Sequence, residues 1–350
     1  MSRPAALALP RRNERRFAMP KLGTLTGTLV AGERQHWRNL TVVMLHRSEP
    51  ITPPVDYVLA ARAMERGFLR VTEVSDGGQV QILRAENRGP LPVLLLDGEE
   101  LRGAKQNRIV NCDVLLRAHG AAELPVACVE QGRWRYQRPD FVVGGYSPAR
   151  LRARQSRAVK VHLQACGRPR ADQGEVWEDV DELLRAVCAE SATAAMADAV
   201  EPMRPMLDAL GEAVAWQADA VGVVVYIEKR LAGMDVFDRP GTLQQVWDRL
   251  LGGYAMDAVA GRVPPKDMGG PEGTDNLLTR VGQCRCEVFS GVDMGEDWRL
   301  QDVDFTGSAL VIEEQALHLS VFPALPGEGD TRPAAVRRIA GPSWRSHRRG

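Results

Sequence analysis

The chain has 350 residues and a mass of 38.5 kDa, enough for about two domains at roughly 100–200 residues each. Its hydrophobic fraction of 44% and charged fraction of 26% are those of a globular chain and exclude a wholly disordered or collagen-like one. Lysine plus arginine, 45, equals aspartate plus glutamate, 45, so no overall field draws the chain to nucleic acid or a membrane surface, and no run approaches the roughly 20 apolar residues of a bilayer span.

In chain order, residues 1–20 mix proline and arginine and read as a disordered tail. Their apolar stretch, 5–9, precedes the arginines at 11, 12, 15 and 16, the reverse of a secretory signal, so a cytoplasmic location is expected. The six cysteines are scattered, and Cys284-x-Cys286 lacks a second pair at zinc-site spacing. Free buried thiols fit a reducing compartment.

Residues 21–145 are β-rich. A strand is predicted over 40–46 and a short helix over 55–66, ended by Gly67. Strands follow at 68–74, 80–86, 93–96, 109–116 and 124–129, separated by Gly, Asn and Pro turn signals. Short strands at this spacing predict an antiparallel β-sandwich or jelly-roll-like domain.

Residues 146–215 form a helical middle. It opens on a basic stretch, Arg150, Arg152, Arg154, Arg157 and Lys160. A helix over 175–190 carries an apolar stripe at 176, 180, 183, 184 and 187, and an alanine-rich helix is expected over 191–215.

Residues 216–322 read as an α+β domain. Residues 222–237 align without gaps on 307–322, with Gly, Ile, Glu, Val and Phe recurring in register. Each copy predicts a β-hairpin turning at Glu228-Lys229 or Glu313-Glu314. A helix begins at Pro240, with Thr242 and Gln245 spaced as a capping box. Residues 323–350 form a second, basic tail. The fold class is therefore α+β throughout.

Four polar segments stand out. An apolar strand runs into Asp97, Glu99 and Glu100, and a glycine-flanked loop presents Lys105, Gln106, Asn107 and Arg108. If the strand continues, Asp97 and Glu99 share a core-side face and need partners, for which Lys105 and Arg108 are the candidates. A second strand ends at Glu130-Gln131, with Arg133, Trp134 and Tyr136 beyond Gly132. An acid, a bidentate cation and two aromatic surfaces suit a nucleotide-like ligand, and equally a protein contact. Asp172 precedes a helix and reads as a cap before a ligand-binding residue. Asp235 and Asp238 lie at a strand end. No phosphate loop, dinucleotide fingerprint, nucleophile elbow or zinc helix occurs. The six histidines are isolated in sequence, so no metal or cofactor is expected.

The strings LLLDGEELRGAKQNRIVN, LPVACVEQGRWRY, ADQGEVWEDVDELL and GMDVFDRPGTLQQVW, in that order, resemble the bacterial family of ARG and Rhodanese-Phosphatase-superfamily-associated protein domains, from about residue 22 to 322. That resemblance implies a setting near ADP-ribosylglycohydrolase and rhodanese-phosphatase proteins and carries over no catalytic residues. Together with the polar segments it suggests a chain that binds, or hydrolyses or transfers, a nucleotide-type ligand related to ADP-ribose. Glu99 or Glu130 would be the general acid or base. Asp97, Glu100, Lys105, Gln106, Asn107, Arg108, Gln131, Arg133, Trp134, Asp172 and Asp235 would line the site. The alternative is a non-catalytic adaptor with a protein partner. Nucleic-acid binding through Arg150–Lys160 is disfavoured by the balanced charge.

Overall fold

The computed structural model describes residues 16–18 and 22–325, and every count below refers to these. Both predicted tails lie almost wholly outside them. The fold is α+β, as expected, and is organised around a nine-stranded antiparallel sheet. Its strands run, edge to edge, Arg16–Ala18, Arg285–Ser290, Glu296–Gln301, Phe305–Ile312, Gln315–Pro323, Arg230–Phe237, Ala220–Ile227, Leu40–Arg47 and Leu29–Trp37.

Leu40–Arg47 and Ala220–Ile227 are paired, Val42 opposite Val225, although residues 48–219 intervene. Both faces of this sheet are buried, which explains why its central strands read as continuous apolar runs rather than as alternation. One face takes Leu243, Val246, Leu250 and Tyr254 of the helix Pro240–Val259 against Val223, Val225 and Phe322. The other takes Leu277, Leu278 and Val281 of the helix Thr274–Gln283 against Val224, Met234 and Val321.

The two predicted hairpins are neighbours, joined through Arg230–Phe237 and Gln315–Pro323. Asp235 lies opposite Ser320, Met234 opposite Val321 and Val236 opposite Leu319. In the gapless alignment Asp235 matches Ser320, Met234 matches Leu319 and Val236 matches Val321. The register therefore has a local two-fold axis through the Asp235–Ser320 pair. The register slips at matched places, Val225/Tyr226 and Leu310/Val311, and both turns hold two residues at positive φ.

The intervening segment builds a six-stranded antiparallel sheet, ordered Phe141–Tyr146, Glu99–Gly103, Arg108–Val110, Ala121–Cys128, Ile82–Asn87 and Leu69–Glu73. A three-stranded sheet of Val114–Leu116, Val93–Leu95 and Val58–Leu59 packs with it around Val71, Leu83, Leu101, Val126 and Phe141. The predicted strand 93–96 forms as Val93–Leu95, whereas the predicted strand 109–116 is interrupted. Gly98, at φ +80°, turns the chain from Val93–Leu95 into Glu99–Gly103, and residues 111–113 carry it from Arg108–Val110 to Val114–Leu116. Asp97 and Asp113 thus occupy the same crossing between two sheets, and the condition under which Asp97 and Glu99 would share a face, a strand continuing through Glu99, is not met.

The predicted helix 55–66 shortens to Ala60–Glu65, because Val58 and Leu59 pair in parallel with Val93 and Leu94. Helices Ala149–Cys166, Gln173–Ala186 and Val200–Ala213 follow. Asp172 caps the second by accepting from the backbone of Gly174 and Glu175. The capping box at Thr242 and Gln245 does not form. The Thr242 hydroxyl meets Tyr57 Oη at 2.5 Å, and the Gln245 amide donates to Gly241 O. All six cysteines are free; Cys166 and Cys188 are exposed and the other four buried.

Candidate functional site

The predicted polar segments gather in two places. The first is a buried knot where residues 48–219 meet the large sheet. Arg152, in the first turn of Ala149–Cys166, is fully buried and donates from Nη1 and Nη2 to Asp235 at 3.0 and 2.6 Å, and from Nη2 to Asp97 at 3.2 Å. His318 bridges Asp113 (Nδ1, 2.9 Å) and Asp235 (Nε2, 3.1 Å), and its ring stacks on Phe237 at 4.5 Å. Tyr254 donates to Asp235 Oδ2 at 2.6 Å.

Burial alone would push the His318 imidazole to lose its proton. The flanking carboxylates of Asp113 and Asp235 outweigh it and raise its pKa to about 10. Against its own burial, Arg152 and His318 hold Asp235 well below the usual carboxylate range, whereas burial raises Asp97. Asp97, Asp113 and His318 each offer a ligand atom, all within 4.8 Å of one another, and among the described residues this is the group that could hold a metal ion.

Sequence reasoning assigned neither His318, Asp113, Arg152 nor Tyr254 to the site. One signal was available: His318 breaks the hairpin repeat where the first copy has Gly233.

The second place joins the loop 104–107 to residues 130–136. Glu130 accepts from Arg133 Nε (2.7 Å) and Thr193 on one oxygen, and from Arg133 Nη2 (2.6 Å) and the Asn107 backbone on the other. Despite partial burial, these donors hold its pKa below the usual value. Arg133 also donates to the carbonyls of Gly103, Ala104 and Arg135 and to Asn107 Oδ1. The Gln106 amide donates to Glu130 O. These five side chains form a closed clamp, and Gln131 is exposed beside it.

Outside the clamp lies an aromatic and cationic patch. Trp134 and Tyr136 are 46% and 50% exposed, and Lys105 Nζ lies 5.3 Å from the centroid of each ring. Lys105 also donates to Asp76 O. Beneath them Arg108 is fully buried, 5.7 Å from the Trp134 ring. Its Nη1 donates to Gln106, while Nε and Nη2 have no partner. Burial lowers the Arg108 pKa, opposed by Cys128 and Glu73. One buried oxygen of Glu73 is likewise unpartnered.

The remaining predicted residues sit between these places. Glu99 pairs with Arg249 (2.8 Å) and accepts from the Leu96 backbone, and Glu100 pairs with Arg102 (2.6 Å). Neither Lys105 nor Arg108 neutralises Asp97 or Glu99, as had been expected. The Gly98 turn sends Asp97 toward Arg152, while Arg108 lies opposite Leu101 and Cys128, beyond Glu99. Asp172 is spent on its cap, and its neighbour Gln173 grips the Cys128 backbone through both amide atoms. The arginines of the basic stretch are ion-paired: Arg150 and Arg154 to Asp179 and Glu182, Arg157 to Glu175, and Arg152 in the knot.

Among the described residues no helix is long and apolar enough to cross a membrane. No curated protein and no solved structure matches this chain. The match that is found covers residues 28–322, which hold every polar segment above: the chain belongs to the family of ARG and Rhodanese-Phosphatase-superfamily-associated Protein domains.

Proposed function

We propose that the protein binds a nucleotide-type ligand at the Trp134–Tyr136–Lys105–Arg108 patch. The observation that carries this reading is the Arg108 guanidinium, wholly buried yet with two N–H-bearing nitrogens unpartnered, under the half-exposed Trp134 ring. A buried donor without an acceptor is costly, by about 1–3 kcal/mol or more for a charged group, so an anion that supplies the acceptor has a strong claim to the place. Trp134 and Tyr136 offer faces on which a base stacks. Lys105, largely buried but held over both rings, supplies one cation for phosphate, and Arg108 the second once the Trp134 ring moves aside. The family description, with its reference to ARG proteins, supports a ligand related to ADP-ribose.

Binding is proposed rather than turnover. Both oxygens of Glu130 and both of Glu99 already accept hydrogen bonds, and a general base needs a free oxygen within reach of the proton it takes. The test is quenching of tryptophan fluorescence on titration with AMP and ADP-ribose. Wild type responds; Trp134→Ala weakens binding roughly tenfold or more, as expected for about 1–3 kcal/mol of stacking, with unfolding unchanged. Lys105→Met weakens AMP and leaves adenosine unaffected. The rival is a non-catalytic adaptor that uses the same exposed aromatics as a protein hot spot. It gains if neither nucleotide produces a response.

A further inference from the structure

The basic stretch of the helix Ala149–Cys166 has a role that the patch does not explain. Three of its arginines face a cavity of about 390 Å³, closed on the other sides by the helix start near Glu175, the end of the helix Pro240–Val259 and the loop 262–265. That volume falls in the range of ligand pockets, roughly 300–1,000 Å³. No tryptophan, tyrosine or phenylalanine lines it, so it offers no stacking face.

Its walls divide by chemistry. On one side Ile227, Val263 and Pro264 give an aliphatic surface. On the other, Arg262 is buried to 6% of its side-chain surface and donates from Nη2 to Asp179 at 2.6 Å, while its Nε and Nη1 make no hydrogen bond. Two residues that line the same space each carry an unsatisfied acceptor. Asp257 Oδ1 lies 3.3 Å from Arg262 Nε without hydrogen-bond geometry, and Glu175 Oε2 is buried while its other oxygen holds Arg157. Burial and the neighbouring Asp179 raise the Asp257 pKa to about 6, against Arg262 and Arg150. Perturbed carboxyls of this kind gather at functional sites.

Spare donors on a buried arginine and spare acceptors on two carboxylates ask for a guest that is both anion and hydrogen-bond donor. We propose that this cavity is a second binding site, taking a small, non-aromatic organic anion that carries hydroxyl groups. Its acidic head meets Arg262 and Arg157, its hydroxyls donate to Asp257 and Glu175, and its carbon skeleton lies along Ile227, Val263 and Pro264. A sugar phosphate and a sugar acid share this chemistry.

Calorimetry of the full chain with ribose 5-phosphate, gluconate and inorganic phosphate tests it. Binding of either organic anion, tighter than inorganic phosphate, is the expected result, and which of the two binds identifies the head group. Arg262→Met should weaken it by roughly tenfold or more, the loss of charge-assisted hydrogen bonds. Asp179 keeps Arg150 and Arg154 as partners in that variant. Ala232→Leu, which fills the cavity from the wall, should abolish binding even if Arg262→Met proves unstable. Trp134→Ala should leave it unchanged, separating this site from the nucleotide patch. The proposal is overturned if neither organic anion binds, if inorganic phosphate binds as tightly as they do, or if Ala232→Leu leaves binding intact.

Discussion

The hairpins Ala220–Phe237 and Phe305–Pro323 are built to one plan and put to different uses. Both turn on two residues at positive φ, 49° and 66° at Glu228-Lys229, 46° and 69° at Glu313-Glu314. Both slip register two pairs before the turn, and both carry a glycine early in the first strand, Gly222 or Gly307, whose added Cβ would collide with the carbonyl of Asp235 or Ser320. The difference lies at the axis. Asp235 faces Ser320, and where the first copy has Gly233 the second has His318. Gly233 leaves room for the Tyr254 hydroxyl to reach Asp235; His318 spans Asp235 and Asp113. A symmetric backbone thus carries an asymmetric charge set, and the asymmetry falls where residues 48–219 dock through Asp97, Asp113 and Arg152. The shared features serve the hairpin itself, while the differing ones serve what packs on it.

The largest expected effect follows from removing the charge that joins the two copies. His318→Gln keeps a polar side chain and loses the positive charge between Asp113 and Asp235. Breaking a buried ion pair by deleting one partner costs about 3–5 kcal/mol, read as a lowered midpoint in urea. Ser320→Ala, across the same axis, should stay within about 1 kcal/mol, since it gives up one weak contact with Ser308 at 3.3 Å. The pH dependence has a definite sign. The folded-state pKa of His318 is raised to about 10 from 6.5, so its contribution is full below pH 6.5 and is lost progressively as pH rises through 10. Thermal stability should fall over that window in wild type, and the fall should be smaller in His318→Gln. Equal slopes would remove His318 as the charged centre of the knot.

A smaller effect is expected at the matched position of the first copy. A Cβ at Gly233 would lie 2.6 Å from Tyr254 Oη and 3.0 Å from Phe322 Cδ1. Overpacking of this kind costs about 1–3 kcal/mol. Gly233→Ala should therefore destabilise by that amount, and Gly233→Ala with Tyr254→Phe should cost less than the sum of the two. Additivity of the pair in denaturant melts would mean that the glycine answers to the backbone and not to the tyrosine.

How far the sequence foretold this arrangement depends on the range of each interaction. The hairpins were legible because turn chemistry and alternation act over a few residues, and Asp172 as a cap for the same reason. The segments 104–107 and 130–136 were recognised as candidates, and their strands pair, Arg108 opposite Cys128. The knot was not legible: Asp97, Arg152, Asp235 and His318 come from four elements far apart in the chain, and nothing local marks Arg152 among five basic residues as the one turned inward. The pairing of Leu40–Arg47 with Ala220–Ile227 was equally hidden, since a strand carries no mark of a partner beyond an insertion. The cavity escaped because its unsatisfied atoms, on Arg262, Asp257 and Glu175, exist only once three helices have packed.

The smallest effect tests what the copies share. Neither turn contains glycine or asparagine, although both hold two residues in the left-handed region, which costs L-residues roughly 1–2 kcal/mol each before any compensation. Replacing Glu228-Lys229 or Glu313-Glu314 by Asn-Gly, the pair suited to such a turn, should stabilise by about 0.5–1 kcal/mol. If the hairpins are one plan, the two gains should agree within a few tenths. Gly270 packs near the Lys229 backbone and Cβ, at 3.5 and 3.6 Å for an added Cβ, so any shortfall should appear in the first copy. A gain confined to the first copy would show that the second turn is held by its surroundings rather than by its own backbone preference, and that the likeness between the hairpins ends at the strands.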